Sequence, residues 1–187
     1  MHRTAVEIIK RDIFRWLISS GTPFAKTLSP SFRRIFLTPF KGYTGLSRAT
    51  FNSLLDGEYT SFAKSVGDKL RECESHYLGM RFVDVHHDMF QGPDGNNYLG
   101  ASCSFIHNFE LHIVALKLEL NNKTHGSEYN ATVLEDSLMK DYGFDFPKYV
   151  RTVVSDTTNA ATKVATFFSE DADQVNCEMH QLNNCDL

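Results

Sequence analysis

Two aspartates stand where this chain could do metal chemistry. Asp156 lies in VVSDTTNAATKV, where a short apolar run gives way to a helix-like pattern. A carboxylate at such a junction can cap the helix, worth about 1 kcal/mol. It can also bind a metal, and one side chain can do both. Asp88 lies in GMRFVDVHHDMF, just before the turn cluster QGPDGNN. The period of two along a strand puts Phe82, Asp84, His86 and Asp88 on one face and Val83, Val85 and His87 on the other. Asp84 and His86 therefore compete with Asp88 for any ligand role. His86 and His87 point to opposite faces and cannot easily chelate one ion together. Cys177 and His180 are spaced like half of a zinc site, with Cys185 as a possible third ligand and no evident fourth. A helix packing Cys177 and Leu182 inward explains the same spacing. Asn159 either orients a ligand or extends the cap. His125 is equally well read as a helix-start residue.

The elements that must position these groups change character along the chain. Residues 4 to 19 carry apolar positions at near-helical spacing, ended by Gly21, Thr22 and Pro23. SPSFRRIFLTPF starts a second helix with Ser29 as cap and Pro30 at the first helical position. Ser47 precedes a long helical stretch that is either broken near Gly57 or runs through it. The basic residues among the first 48, such as Arg11, Arg33 and Arg48, read as a solvated helix face rather than a nucleic-acid patch. From about residue 80 the pattern is three strands with short links, which predicts an antiparallel meander. A helix over SEYNATVLEDSLMKDYG, a strand YVRTVVSD, a helix TTNAATKVATFFSED, a weak strand near DQVNC and a final EMHQLNNCDL piece follow. The order β-β-β-α-β-α-(β)-α is that of an RNase H-like sheet. The crossover rule then returns the fourth strand beside the first. Asp88 and Asp156, 68 residues apart in sequence, would meet at one end of that sheet. Two-metal phosphoryl transfer, with ions roughly 3.5–4 Å apart, needs such a carboxylate cluster, and hard Mg²⁺ prefers carboxylate oxygens.

Composition narrows the setting. A 187-residue chain with 42% hydrophobic residues, 15 Phe and 7 Tyr is able to build a packed core. The net charge of −4 gives no global attraction to nucleic acid. Four scattered cysteines do not form a disulfide framework. The N-terminal segment lacks the uninterrupted apolar region of a signal peptide, and no run reaches membrane-spanning length. A soluble intracellular protein with no membrane partner is expected.

Three blocks together resemble the hAT-type DNA transposases, the hobo–Activator class. DMFQGPDGNNYLGASCSFI is similar to the family's Asp-x-Trp block and the strand after it, with Phe90 in place of Trp. VVSDTTNAATKV matches the strand ending in Asp with Asn three residues on, here Asp156 and Asn159. CEMHQLN resembles the Cys-x-x-His-x-Leu-Asn element through Cys177, His180, Leu182 and Asn183. His125 sits where the family often has a His opening the first crossover helix. The resemblance covers nearly the whole chain. It implies an α/β fold: an RNase H-like mixed sheet, a three-strand antiparallel meander plus a parallel strand, with helices. An all-helical segment over 1–76 precedes this partial core over 77–187. It also implies Asp88 and Asp156 as catalytic metal ligands for Mg²⁺ or Mn²⁺, DNA as partner and the nucleus as location, although no basic cluster reads as an import signal.

The departures set the expected function. The family's third acid, a downstream glutamate, has no counterpart before Leu187, and the family's dimerisation region and BED-type zinc finger are absent. The expectation is a fragment or decayed copy of a hAT-type DNA transposase. Its parent chemistry is metal-dependent DNA strand cleavage and transfer. The chain itself is expected to be inactive, with DNA affinity low or lost. The alternative is a repurposed DNA-binding or protein-interaction module that kept the fold. A small metal-dependent hydrolase using Asp84, His86, Asp88 and Asp156 ranks third.

Overall fold

The computed structural model describes residues 4–37, 44–121, 126–156 and 158–177. The chain divides into two compact units, Met1–Phe62 and Ala63–Leu187. The expected pieces around His125, His180, Asn183 and Cys185 lie outside the described residues.

In the first unit, helix α1 (Ala5–Ser20) starts on a capping box in which Thr4 and Glu7 satisfy each other's backbone amides. It buries Ile13, Phe14 and Leu17 against Phe24 and Leu46. Phe51 adds edge and tilted ring contacts to Phe14 and Phe24. A short 3₁₀ turn (Phe24–Leu28) leads to α2 (Pro30–Leu37), whose cap is Ser29, as the Ser-Pro pair predicts. Helix α3 (Arg48–Tyr77), whose residues from Ala63 on belong to the second unit, opens on Ser47, whose hydroxyl accepts from the Thr50 amide. It runs unbroken through Gly57 for 30 residues.

In the second unit, a five-stranded sheet is formed by β1 (Val83–Gln91), β2 (Asn97–His107), β3 (Glu110–Leu120), β4 (Val150–Ser155) and β5 (Asp173–Asn176). The spatial order is β3-β2-β1-β4-β5. The first three strands pair antiparallel, as the short links predict, and β4 pairs parallel to both β1 and β5. The fold is therefore α/β with a mixed sheet, and the fourth strand lies beside the first. Helices α4 (Ser127–Tyr142), the single turn α5 (Phe146–Tyr149) and α6 (Asn159–Phe168) connect the parallel strands.

One face of the sheet holds the core. Val83, Val85, Leu99, Cys103, Leu116 and Val153 are buried there against Leu134 and Leu138 of α4, Val164 and Phe168 of α6, and Val66, Leu70 and Cys73 of α3. Helix α4 ends at Gly143, which takes a left-handed φ of 59° that an L side chain rarely adopts. Arg71 donates to the last carbonyls there, Tyr142 O at 3.1 Å and Gly143 O at 2.9 Å. The Tyr142 hydroxyl donates to Leu116 O of β3 at 2.6 Å, fixing the helix to the sheet.

The other face is open. Cross-strand register aligns Asp84, His86, Asp88 and Phe90 of β1 with Ser104, Ser102, Gly100 and Tyr98 of β2. The next row out is Ile113, Ala115, Leu118 and Leu120 of β3. Leu111, Ile113, Leu118 and Leu120 are all more than half exposed. Among the described residues no helix is long and apolar enough to cross a membrane.

Candidate functional site

The parallel pairing of β1 with β4 creates the site. His86 pairs with Val154, so Asp88 of β1 and Asp156, just past the end of β4, each lie two residues further along. Such strands run about 4.8 Å apart. Both aspartates line one cavity of about 460 Å³ on the open face, together with His86, Ser102, Lys117 and Cys177.

Each carboxylate keeps a free edge. Asp88 is exposed, and its side chain makes no hydrogen bond or ion pair among the described residues. Asp156 is half-buried, and its Oδ1 accepts from the Thr158 amide at 2.7 Å. The helix cap itself is Thr158, whose hydroxyl accepts from Ala161 N at 3.3 Å. Asp156 is thus not the N-cap of α6. Among the described residues its second oxygen accepts nothing. Backbone continuity on the other side comes from Cys177, whose amide donates to Ser155 O at 2.7 Å across β4 and β5.

The remaining candidates divide. His86 belongs to the cavity, and its Nε2 lies 3.4 Å from Ser104 Oγ. Asp84 does not belong to it. Arg151 engages both its oxygens, at 2.9 and 3.0 Å, and the pair lines a separate cavity with Arg81 and Phe82. Asp84 is thus engaged by Arg151 and lies outside the lining of the aspartate cavity. Asn159 is the first residue of α6, exposed, with its carbonyl accepting from Thr162. Lys117 reaches into the cavity but is paired with Asp141 at 3.0 Å and Glu119 at 3.4 Å.

Sequence reasoning put His87 on the face opposite Asp88 and gave it no role. It is 4% exposed, and neither ring nitrogen has a hydrogen-bond partner. Burial holds its pKa below the ordinary histidine value, against smaller opposing effects of the Ala161 backbone and of the Asp88 and Asp156 charges. His87 also contributes to the lining of the aspartate cavity. The alternation of β1 was its only sequence signal.

Two carboxylates with free oxygens at one sheet end, beside a half-buried histidine, suit a hard divalent cation. No group of three ligand side chains occurs among the described residues. No protein-family model matches the chain, and no characterised protein matches it in sequence.

Proposed function

We propose that the second unit is an RNase H-like core of the hAT transposase type, and that Asp88 and Asp156 bind Mg²⁺ or Mn²⁺ next to a DNA strand. One observation carries this reading: the β1–β4 pairing brings both aspartates into a single open cavity with unengaged oxygens. Asp88 and the free oxygen of Asp156 would hold the cation, and the Thr158 amide would keep Asp156 aimed. When bound, the cation would stabilise charge on phosphate oxygens and lower the pKa of bound water. With two carboxylates among the residues that line the cavity, we infer cation-assisted DNA binding rather than strand cleavage and transfer. A nuclear location follows from this reading alone.

The test is a Mg²⁺ and Mn²⁺ titration of the purified chain by calorimetry and NMR, with Asp88→Ala and Asp156→Ala. Binding that each substitution abolishes is the expected result. Absence of binding at millimolar metal overturns the cation site. A second reading, a protein-interaction module on the same fold, is supported by the exposed apolar row Leu111, Ile113, Leu118 and Leu120. It predicts no cation binding and loss of partner affinity on Ile113→Lys.

A further inference from the structure

Two of the basic residues that sequence alone reads as a solvated helix face converge on one cavity of the first unit. It holds about 330 Å³ and lies where the 3₁₀ turn, α2 and the start of α3 meet. Its lining includes Phe24, Leu28, Arg33, Thr44, Leu46 and Arg48, and all of it belongs to Met1–Phe62. The wall is apolar and the rim is cationic. Phe24 and Leu46 are buried members of the first unit's core, and Phe51 holds the Phe24 ring at a centroid distance of 5.2 Å. The Arg48 guanidinium lies over that same ring, 4.4 Å from its centroid. Such a contact fixes the guanidinium plane and leaves its N–H edge free to donate. On α2, Phe32 packs on the core and stacks on Trp16, and the next residue, Arg33, joins the cavity.

The two guanidinium groups lack a counter-charge. Among the described residues neither the Arg33 nor the Arg48 side chain makes an ion pair or a hydrogen bond, and no acidic residue lines the cavity. The imbalance extends to the unit. Its described residues carry seven Lys and Arg against four Asp and Glu, although the whole chain has a net charge of −4. One of those acids, Glu58, already pairs with Arg11 at 3.5 Å. Helix α3 begins at the same place, and the positive end of its dipole adds to the field. Folding therefore gathers positive charge beside an apolar wall and supplies nothing to neutralise it.

Guanidinium forks match the oxygens of a phosphate, and each fork can hold two of them. Two such groups balance the roughly −1.5 to −2 charge that a terminal phosphate carries at pH 7. A diester inside a strand carries a single charge and would leave one guanidinium unanswered. The volume reaches the ~300 Å³ lower end of small-molecule sites, so an organic group fits beside the phosphate. We propose that this cavity binds a phosphate monoester. Arg33 and Arg48 hold the phosphate, and the organic group packs on Phe24, Leu28 and Leu46. The Thr44 hydroxyl, without a hydrogen-bond partner among the described residues, is a further donor on the rim. The ester is either a small free molecule or the 5′-phosphorylated end of a nucleic-acid strand, and the recognition chemistry is the same for both.

The experiment titrates the full chain with phenyl phosphate and with phenol, which has the same ring and no phosphate, followed by NMR in metal-free buffer at low salt. Phenyl phosphate is expected to bind more tightly than phenol, with shifts centred on Leu28, Thr44 and Arg48. Arg33→Gln and Arg48→Gln should each weaken it about ten-fold, the lower end for a hydrogen bond to a charged group, because both arginines are exposed. Arg33→Lys keeps the charge without the fork and should fall between wild type and Arg33→Gln. Trp16 fluorescence in urea certifies the fold of the first unit in each variant. A 5′-phosphorylated hexathymidylate compared with its 5′-hydroxyl form separates the sources. A gain on phosphorylation at these residues assigns a strand end, and no gain assigns a small free ester. Phenyl phosphate no tighter than phenol, unchanged affinity in both Gln variants, or shifts centred elsewhere would each overturn the proposal. No metal takes part and the aspartate cavity lies in the other unit. Failure here alongside retained cation binding sinks only this cavity, and the converse result sinks only the cation site.

Discussion

Two glycines in one helix should respond to alanine with opposite signs. Gly57 and Gly67 both lie within α3. An alanine Cβ at position 57 meets nothing within 4 Å, so Gly57→Ala brings only the helix-propensity gain of about 1 kcal/mol. A Cβ at position 67 would lie 2.2 Å from Tyr142 O and 3.2 Å from its carbonyl carbon. Those are backbone atoms at the C-terminal end of α4, and they do not swing aside as a side chain would. The same Cβ would lie 3.3 Å from Arg71 Nη1, the donor to Tyr142 O and Gly143 O. Separating α3 from α4 therefore strains the packing and breaks a charge-assisted cap together. Overpacking costs typically about 1–3 kcal/mol, and each hydrogen bond to a charged group is worth about 1.5–3 kcal/mol. With one of the two bonds lost, and against the same ~1 kcal/mol propensity gain, Gly67→Ala should be net destabilising by about 1.5–5 kcal/mol. The single tryptophan, Trp16, reports the first unit by fluorescence during urea unfolding. Amide exchange of β2 and β3 reports the second. Gly67→Ala at wild-type stability or above, in the β2 and β3 amides, would refute the close approach of α3 to α4.

Two further outcomes follow from the site. His87 has a folded-state pKa lowered by burial, so below about pH 6.5 the unfolded chain binds the extra proton first. Stability should fall as pH drops from about 6.5 towards the folded pKa, by at most ~1.4 kcal/mol per pH unit from this group; in EDTA-treated buffer His87→Leu should flatten that slope in urea titrations, and an unchanged slope counts against the neutral buried ring. Thr158→Ala removes the α6 cap and should cost about 1 kcal/mol while weakening Mn²⁺ binding only modestly, because the amide that orients Asp156 remains; complete loss of Mn²⁺ binding in calorimetry would show that the hydroxyl itself holds the site.

The legible part of the fold was its local grammar. The capping signals at Ser29 and Ser47, the glycine stop at Gly143, the period-two pattern of β1 and the short meander links are all properties of neighbouring residues, and each element appears where those signals put it. The parallel return of β4 to β1 was also foreseen, from the general rule on crossovers. What the residues around Asp156 left open was whether its carboxylate caps α6 or serves a metal; in the structure Thr158 holds the cap and Asp156 keeps an oxygen free.

Long-range partners were beyond reach for the same reason. Asp84 and Asp88 look alike along a strand, but Arg151 arrives from β4 to neutralise only the first. His87 becomes a buried, unpaired imidazole because α6 packs over β1. Asn121 becomes a buried amide held by Asn130 of α4, which takes its amide hydrogen. Sequence alone determined which elements form, because helix and strand signals act over a few residues. Tertiary structure decided which polar groups are neutralised, buried or left free, because that depends on charges and donors brought together from distant parts of the chain.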